Sequence, residues 1–510
     1  MLGPFTLLGV LALGGALASS ITARLAPEAR GHGVPEVMAA VALKGGIIRP
    51  RVIAIKAVAS ATSIAFGGSC GREGPIVQIG ATIGSVLGQV VHAPVPIVRT
   101  LVACGAAAGI SATFNAPIGG VFFASEVILG DFAPRSFATI VVSSVVAAVI
   151  SRAFLGNHPS FDARAFALVS PRELLLYAVL GVLCALWAWA FVRVLYVIED
   201  AAEAWKITPE IKGAVGFGLV GAIGLFAPQV LGVGYDVIQH VFDGHVGVAR
   251  ALALSVLKPI ATSLTLGFGG SGGVFAPSLF TGAMLGDGFG RIAHGLFPAW
   301  TASAAAYGLV AMAAVFAAAA EAPITAIVIV FEMSYDYTIV LPLMISTVIA
   351  TILGRRLIDG TVYELKLMRR GIDWKRVRRP HALERVRVSN VVREAAVTAH
   401  ASDTVASVAE RLHGTSEGVV PVLDRDGRFA GIVAAGDLGW LMTHDAAQPI
   451  GAFVKAAAAS VASTESLERA ADLMADPQIA MLPVLHADGS LAGIITRRDV
   501  LTAYRSLSGV

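Results

Sequence analysis

Charge is scarce in this chain: Asp, Glu, Lys and Arg make up 14% of its 510 residues, against roughly 25% in soluble domains. The 38 basic and 35 acidic residues leave a formal net charge of +3, which provides no electrostatic footprint for nucleic acid. Cysteine is almost missing. Cys70, Cys104 and Cys184 each stand in an apolar or small-residue run, so they make neither a disulfide framework nor a metal spacing and read as inert packing residues. The sequence has no HExxH, no Walker A loop and no CxxC pair, and its histidines are scattered. Nothing therefore points to an enzyme, a metal site or a required cofactor. What the chain has in abundance is apolar surface: 56% hydrophobic residues and a mean hydropathy of +0.75, the composition of a membrane protein.

The charge is also unevenly spread, with 39 charged residues among the first 365 and 34 among the last 145. A long apolar portion is thus followed by a water-soluble one. The opening stretch, residues 2–23, has a cleavable-looking Ala16-Leu17-Ala18, but no Lys or Arg precedes Arg24. It lacks the positive n-region of a secretory signal and reads as a membrane helix. Many of the later apolar stretches fall short of the roughly 20 residues that span a bilayer, and the 55 glycines and 23 prolines interrupt many of them. Short, broken helices suggest a packed transport protein with re-entrant elements rather than a bundle of simple spans.

Laid on itself, the membrane portion repeats. Lys56 matches Lys258 at an offset of 202, followed without gaps by Phe66-Gly67-Gly68-Ser69 with Phe268-Gly269-Gly270-Ser271, Gly71 with Gly273, Pro75 with Pro277 and Gly84 with Gly286. Ala116-Pro117-Ile118 and Glu126 recur as Ala322-Pro323-Ile324 and Glu332 at an offset of 206. The halves run over about 1–160 and 170–365. Repeats carrying Gly/Pro-broken segments in matching positions point to a transporter or channel with its site between them. In each half a glycine-rich loop runs into a proline and a helix start, where free N–H groups and the helix dipole favour an anion. By the same offset, the helix around 174–197 has no first-half counterpart, so the unit is expected to lack its first membrane helix.

At this point the residues resemble a known family. Gly71-Arg72-Glu73-Gly74-Pro75, Gly273-Val274-Phe275-Ala276-Pro277, Gly31-His32-Gly33-Val34-Pro35 and Tyr363 look like the four anion-pathway signatures of the CLC chloride channels and chloride/proton exchangers. The resemblance implies an all-α, multi-pass fold of broken helices in inverted repeats, with an anion pathway over residues 1–365. It implies that Val274 and Phe275 offer backbone N–H groups to a central anion beside the Tyr363 hydroxyl, that Gly31, His32 and Gly33 border it, and that Arg72, Glu73 and Gly74 form the outer site. Glu73 would be the gate. A carboxylate deep in a membrane is costly and is kept for function, and at a helix N-terminus it can stand in for the anion. Arg72 is weighted toward a structural pairing nearby.

Two positions depart from the family pattern. His32 stands where most members have serine; an imidazole that gains a proton donates from both nitrogens, so anion affinity is expected to rise as internal pH falls. Val127 stands at the position of the exchangers' internal proton-relay glutamate, and valine cannot shuttle a proton. This tilts the expectation toward a passive chloride channel gated by Glu73, with a chloride/proton antiporter as the alternative. Glu126, one residue earlier, shares a structural expectation with its repeat mate Glu332.

Beyond Tyr363 a basic stretch, 366–385, predicts a cytoplasmic C-terminal side. A second repeat follows at an offset of 62: Val420-Pro421-Val422-Leu423 and Asp437 recur as Leu482-Pro483-Val484-Leu485 and Asp499. The two units, 386–442 and 448–507, resemble a CBS pair, an α/β appendage common in CLC proteins. In nucleotide-binding pairs a Ser/Thr and an Asp hold ribose and phosphate. Thr496 and Asp499 fit that pattern, whereas the first unit has Ala434 before Asp437, so an adenine nucleotide has at most one intact site and the pair could equally serve dimerisation alone. The expectation is a homodimeric protein of a bacterial cell membrane that passes chloride or another small anion. A CBS-regulated divalent-cation transporter and a membrane-bound nucleotide sensor are the rivals. A cation pore should gather several carboxylates, and a sensor has no use for both glycine loops and Tyr363.

Overall fold

The computed structural model describes residues 3–132, 134–157, 161, 168–372, 383, 386–413, 415, 418–457, 459–474, 476 and 479–508. It divides into two compact units between residues 374 and 375. Much of the basic stretch, including Lys375, Arg376, Arg378 and Arg379, lies outside the described residues.

The membrane unit is helical. Its first half contains α1 (Pro4–Leu25), α2 (Val34–Leu43), α3 (Val52–Ala65), α4 (Glu73–Val90), α5 (Val95–Phe114), α6 (Pro117–Phe123) and α7 (Pro134–Leu155). The second contains α8 (Glu173–Ala204), α9 (Pro209–Phe226), α10 (Tyr235–Phe242), α11 (Val248–Gly267), α12 (Phe275–Leu296), α13 (Ala304–Ala320), α14 (Pro323–Ser334), α15 (Val340–Leu357) and α16 (Glu364–Arg369). Seven of the described helices are long and apolar enough to cross a membrane. Of the others, α4 and α12 have the length, 18 and 22 residues, but are less apolar, and the rest are shorter.

Helix composition decides what each one faces. On α7, Val142, Val145, Val146, Val149, Ile150 and Phe154 are exposed, an apolar surface suited to lipid. By contrast α13 is buried on every side after its first residue, as expected of a helix that is apolar all round. Its alanines let α12 approach closely: a side-chain carbon on Gly282 would lie 2.3 Å from the Ala311 carbonyl oxygen.

The repeat becomes a pseudo-two-fold arrangement, with α1 to α7 matching α9 to α15. At its centre the equivalent residues Gly71 and Gly273 exchange backbone hydrogen bonds, 2.8 Å and 2.6 Å. Around them the polar contacts come in pairs. Lys56 Nζ donates to the carbonyls of Ala29 and Gly31 at 2.9 and 2.8 Å, and Lys258 Nζ donates to those of Val230 and Gly232 at the same distances. The Ser69 N–H donates to Thr265 Oγ1 and the Ser271 N–H to Ser63 Oγ, each at 3.0 Å.

In the second unit, each CBS-like half has a short strand parallel to a central strand that pairs antiparallel with a third. The strands are β1 (Ala399–His400), β2 (Val419–Leu423) and β3 (Phe429–Ala434), then β4 (Val461–Ala462), β5 (Met481–Leu485) and β6 (Leu491–Thr496). Alternating apolar residues bury one face of each sheet under helices α17 (Val405–Leu412) and α18 (Ala435–His444), or α19 (Leu467–Leu473) and α20 (Arg497–Ser508). The halves interlock, since Arg393 bonds to β6 through Ile494 and Lys455 bonds to β3 through Ile432.

Candidate functional site

The loops that precede α2, α4 and α12, together with the start of α16, converge in the interior of the membrane unit. Glycine makes this convergence sterically possible. A side-chain carbon on Gly74 would lie 2.3 Å from the His32 carbonyl oxygen, and one on Gly71 would lie 2.2 Å from Glu73 Oε2. Gly31 and Gly33, at φ of 73° and 76°, turn the chain so that the residue between them faces inward. A narrow cavity results, bordered by His32, Glu73, Gly74, Val274, Phe275 and Tyr363 and closed by Val34, Val77, Ile110 and Phe123. Six of the residues singled out from the sequence thus meet in one place.

Glu73 opens α4 and is 1% exposed. Its carboxylate turns across to the other half, where it accepts the Tyr235 hydroxyl at 2.5 Å and the Ala276 backbone N–H at 3.4 Å. Ala276 belongs to the first turn of α12, whose leading N–H groups have no partner within the helix and carry the positive end of its dipole. Val274 and Phe275 start the same turn. The Phe275 ring packs on Phe316, with centroids 4.2 Å apart, and on Phe114 at 5.1 Å, which holds that turn in place. Tyr363 is 1% exposed and is anchored by its neighbour: Val362 donates to the Ala319 carbonyl at 2.8 Å and accepts the Tyr196 hydroxyl at 2.6 Å.

Other expected site residues lie elsewhere. Arg72, anticipated at the outer site, is exposed and does not border the cavity; its guanidinium lies over the Tyr235 ring, 5.8 Å from the centroid. It sits before the first helical residue, where the turn directs its long side chain away from the interior. Val127 is buried in a π-helical turn after α6, Ala124–Leu129, and likewise does not border the cavity. Its neighbour Glu126 accepts hydrogen bonds from the N–H groups of Ile324 and Thr325 at 3.4 and 2.8 Å. Reciprocally, Glu332 accepts those of Ile118 and Gly119 at 3.0 and 2.6 Å. Each glutamate caps the helix that opens the opposite half's Ala-Pro-Ile motif, a shared structural task.

Tyr235 was missed from the sequence. Its signal was there in the repeat, because Gly232-Val233-Gly234 mirrors Gly31-His32-Gly33 and Tyr235 follows directly.

The geometry is a narrow, buried cavity at a helix start, with a tyrosine hydroxyl and one carboxylate seated on the Ala276 N–H. Residues 14–355 match the family model described as voltage gated chloride channel. The chain belongs to this CLC family. Residues 388–438 and 450–506 match the CBS domain model. A ClcB-like chloride channel protein of Ralstonia nicotianae is 34% identical over 68% of this chain and 81% of its own length. The H(+)/Cl(-) exchange transporter ClcA of Klebsiella pneumoniae is 32% identical over 68% of this chain and 75% of its length. Among solved structures, a slow cyanobacterial Cl-/H+ antiporter matches with a TM-score of 0.67 at 27% identity, covering 71% of this chain and 87% of that one. A eukaryotic CLC transporter shares the fold over 98% of this chain and 90% of its own, with a TM-score of 0.63 at 21% identity. This protein is therefore a multi-pass integral membrane anion transporter of the CLC family.

In the second CBS unit, Asp499 accepts the Thr496 hydroxyl at 2.6 Å and its N–H at 2.8 Å, and pairs with Arg393 at 3.3 Å. Burial pushes this carboxyl up, but the bonds from Thr496 and Arg393 outweigh it and hold the group below the usual carboxylate range. The first unit repeats the pairing at the offset of 62, with Lys455 and Asp437 2.7 Å apart. A pocket beside this pair is bordered by Gly436, Asp437, Trp440, Phe453 and Lys455.

Proposed function

We propose that this CLC protein exchanges chloride for protons, with Glu73 as both gate and proton acceptor at the outer end of the pathway. The observation that carries the reading is the seat of its carboxylate at the α12 start. A negative group there occupies the place a chloride ion would take, so anion and carboxylate compete, and protonation removes the competitor. Val274, Phe275, Gly74 and Tyr363 then bind the anion through backbone amides and a hydroxyl. Arg72 lies over the Tyr235 ring rather than at the cavity. The exchangers among the relatives support coupling over the passive channel that Val127 alone suggested.

The passive channel is the second reading, and the valine is what favours it. Purified protein in lipid vesicles with an imposed chloride gradient, followed by chloride and pH electrodes together, separates the two. Protons moving against chloride in a fixed ratio are expected; chloride flux with a silent pH trace would establish the channel instead.

On this reading the protein is a homodimer in a bacterial cell membrane, with the basic stretch after Tyr363 on the cytoplasmic side. The CBS pair serves regulation. An adenine nucleotide at Thr496 and Asp499 would have to displace Arg393 from the carboxylate, so binding and opening of that ion pair are one event.

A further inference from the structure

Both ring nitrogens of His32 are buried without a hydrogen-bond partner. The ring is 1% exposed, borders the cavity that holds Glu73 and lies with its centroid 6.0 Å from that of Tyr363. Buried polar groups are normally paired, and this one faces the transport pathway.

Its surroundings are dominated by positive charge. From α16, the Lys366 ammonium stands over the Gly31 backbone, so close that a side-chain carbon there would lie 2.3 Å from it. From α3, Lys56 holds the Gly31 carbonyl at 2.8 Å. Arg370, paired with Glu36 of α2, adds a third cation bearing on the ring. The opposing groups are Glu73 across the cavity and, behind Lys366, Glu199 of α8 at 3.7 Å. Glu199 and Lys366 border a second, polar cavity with Arg30, Asp200, Glu203 and Arg369. Among three cations, a further positive charge on the ring is sustained only while an anion lies beside it.

We propose, resting on the exchange reading above, that His32 carries the proton between the cytoplasmic mouth and Glu73, the task Val127 cannot perform. An anion in the cavity stabilises the imidazolium formed when a ring nitrogen takes a proton from the mouth lined by Glu199 and Lys366. When the anion leaves inward, the imidazolium is left facing Lys366, Lys56 and Arg370. Its N–H bond breaks, and the proton passes along the shared cavity to form an O–H bond on the Glu73 carboxylate, which then vacates the α12 start for the next anion. Anion and proton cross in opposite directions, and the ring returns to its neutral form.

The test is the vesicle experiment with His32→Ser. The proton-to-chloride ratio should fall roughly tenfold or more, whatever chloride flux the variant retains. An unchanged ratio would overturn the inference and leave the exchange reading standing. Chloride flux without protons in the unmodified protein would overturn both. Should the serine variant pass no chloride, proton uptake decides. Sodium chloride added to the unbuffered, detergent-solubilised full-length protein should draw protons from solution, and His32→Gln, which keeps an N–H donor but cannot be protonated, should reduce that uptake to the part taken by a displaced Glu73. Equal uptake by the glutamine variant would refute the proposal.

Discussion

Gly31-His32-Gly33 in the first half of the membrane unit and Gly232-Val233-Gly234 in the second form the same turn, with left-handed glycines at both ends (φ 73° and 76°; 63° and 96°). Each turn is held by a lysine from the equivalent helix. Yet one presents an imidazole and the other an isopropyl group. The same contrast recurs one loop later, where α4 opens with Glu73 and α12, at the equivalent position, opens with Phe275. The backbone turns, lysines and crossed glutamate caps are duplicated, whereas the ionisable groups facing the cavity are not. Duplicated residues build the frame that brings two helix starts together; the unmatched ones give the pathway its chemistry.

The largest expected effect breaks the asymmetry at its centre. Glu73→Gln keeps the shape but cannot be ionised, so it should remove proton movement and leave chloride flux independent of pH, a loss of coupling of at least about tenfold. Simultaneous electrode recordings check this, and a variant that still moves protons would show that Glu73 does not carry them.

Next come the paired lysines. Lys56→Met and Lys258→Met each remove two charge-assisted hydrogen bonds to buried carbonyls, a cost on the order of 3 kcal/mol. Thermal unfolding of the full-length protein in detergent should show similar losses for both. Only Lys56→Met, beside His32, should also change the pH dependence of flux. Matching transport defects in the two variants would mean that Lys56 acts only as a strut.

The crossed caps should give a smaller and symmetric effect. Glu126→Gln and Glu332→Gln each weaken a capped helix start, by about 1–2 kcal/mol, with no change in proton-to-chloride ratio. A lost ratio in the Glu126 variant alone would make that residue a proton carrier and break the symmetry assigned to it.

The smallest effect lies in the CBS pair. Asp499 is held below its ordinary range, so its ionised form stabilises the fold. That contribution is fully present above about pH 4, the unfolded value, and disappears as pH falls through the lower folded value. Asp499→Asn should cost about 1 kcal/mol or less, since Arg393 is partly exposed and screened. Unfolding of wild type and variant should converge once the pH has fallen below the folded-state value; a gap persisting in strong acid would mean that charge is not the source.

Much of the site was legible beforehand because the scarcity of charge isolates the few ionisable residues in the apolar portion. Glu73, His32 and Tyr363 could be named from motifs, and the cavity does bring them together. Arg72 could not be placed, because a residue before a helix start can point toward either side, and only packing against Tyr235 settles which. The repeat marks the position of Tyr235, but its bond to Glu73, 162 residues away, exists only once the halves interlock. Glu126 and Glu332 could be paired by the repeat, but a repeat does not reveal that each serves the opposite half.

The sequence by itself determined that this chain lies in a membrane, that it is doubled, that its helices are broken at glycine-rich loops and that a CBS pair follows. These are local or periodic properties, set by hydropathy, turn chemistry and internal matches. Only the tertiary structure decided that the Glu73 carboxylate sits on the other half's helix start, that His32 is left unpaired among Lys56, Lys366 and Arg370, and that Asp499 is already taken by Arg393. Each of these is a contact between groups far apart in the chain, and it exists only once the intervening elements have packed.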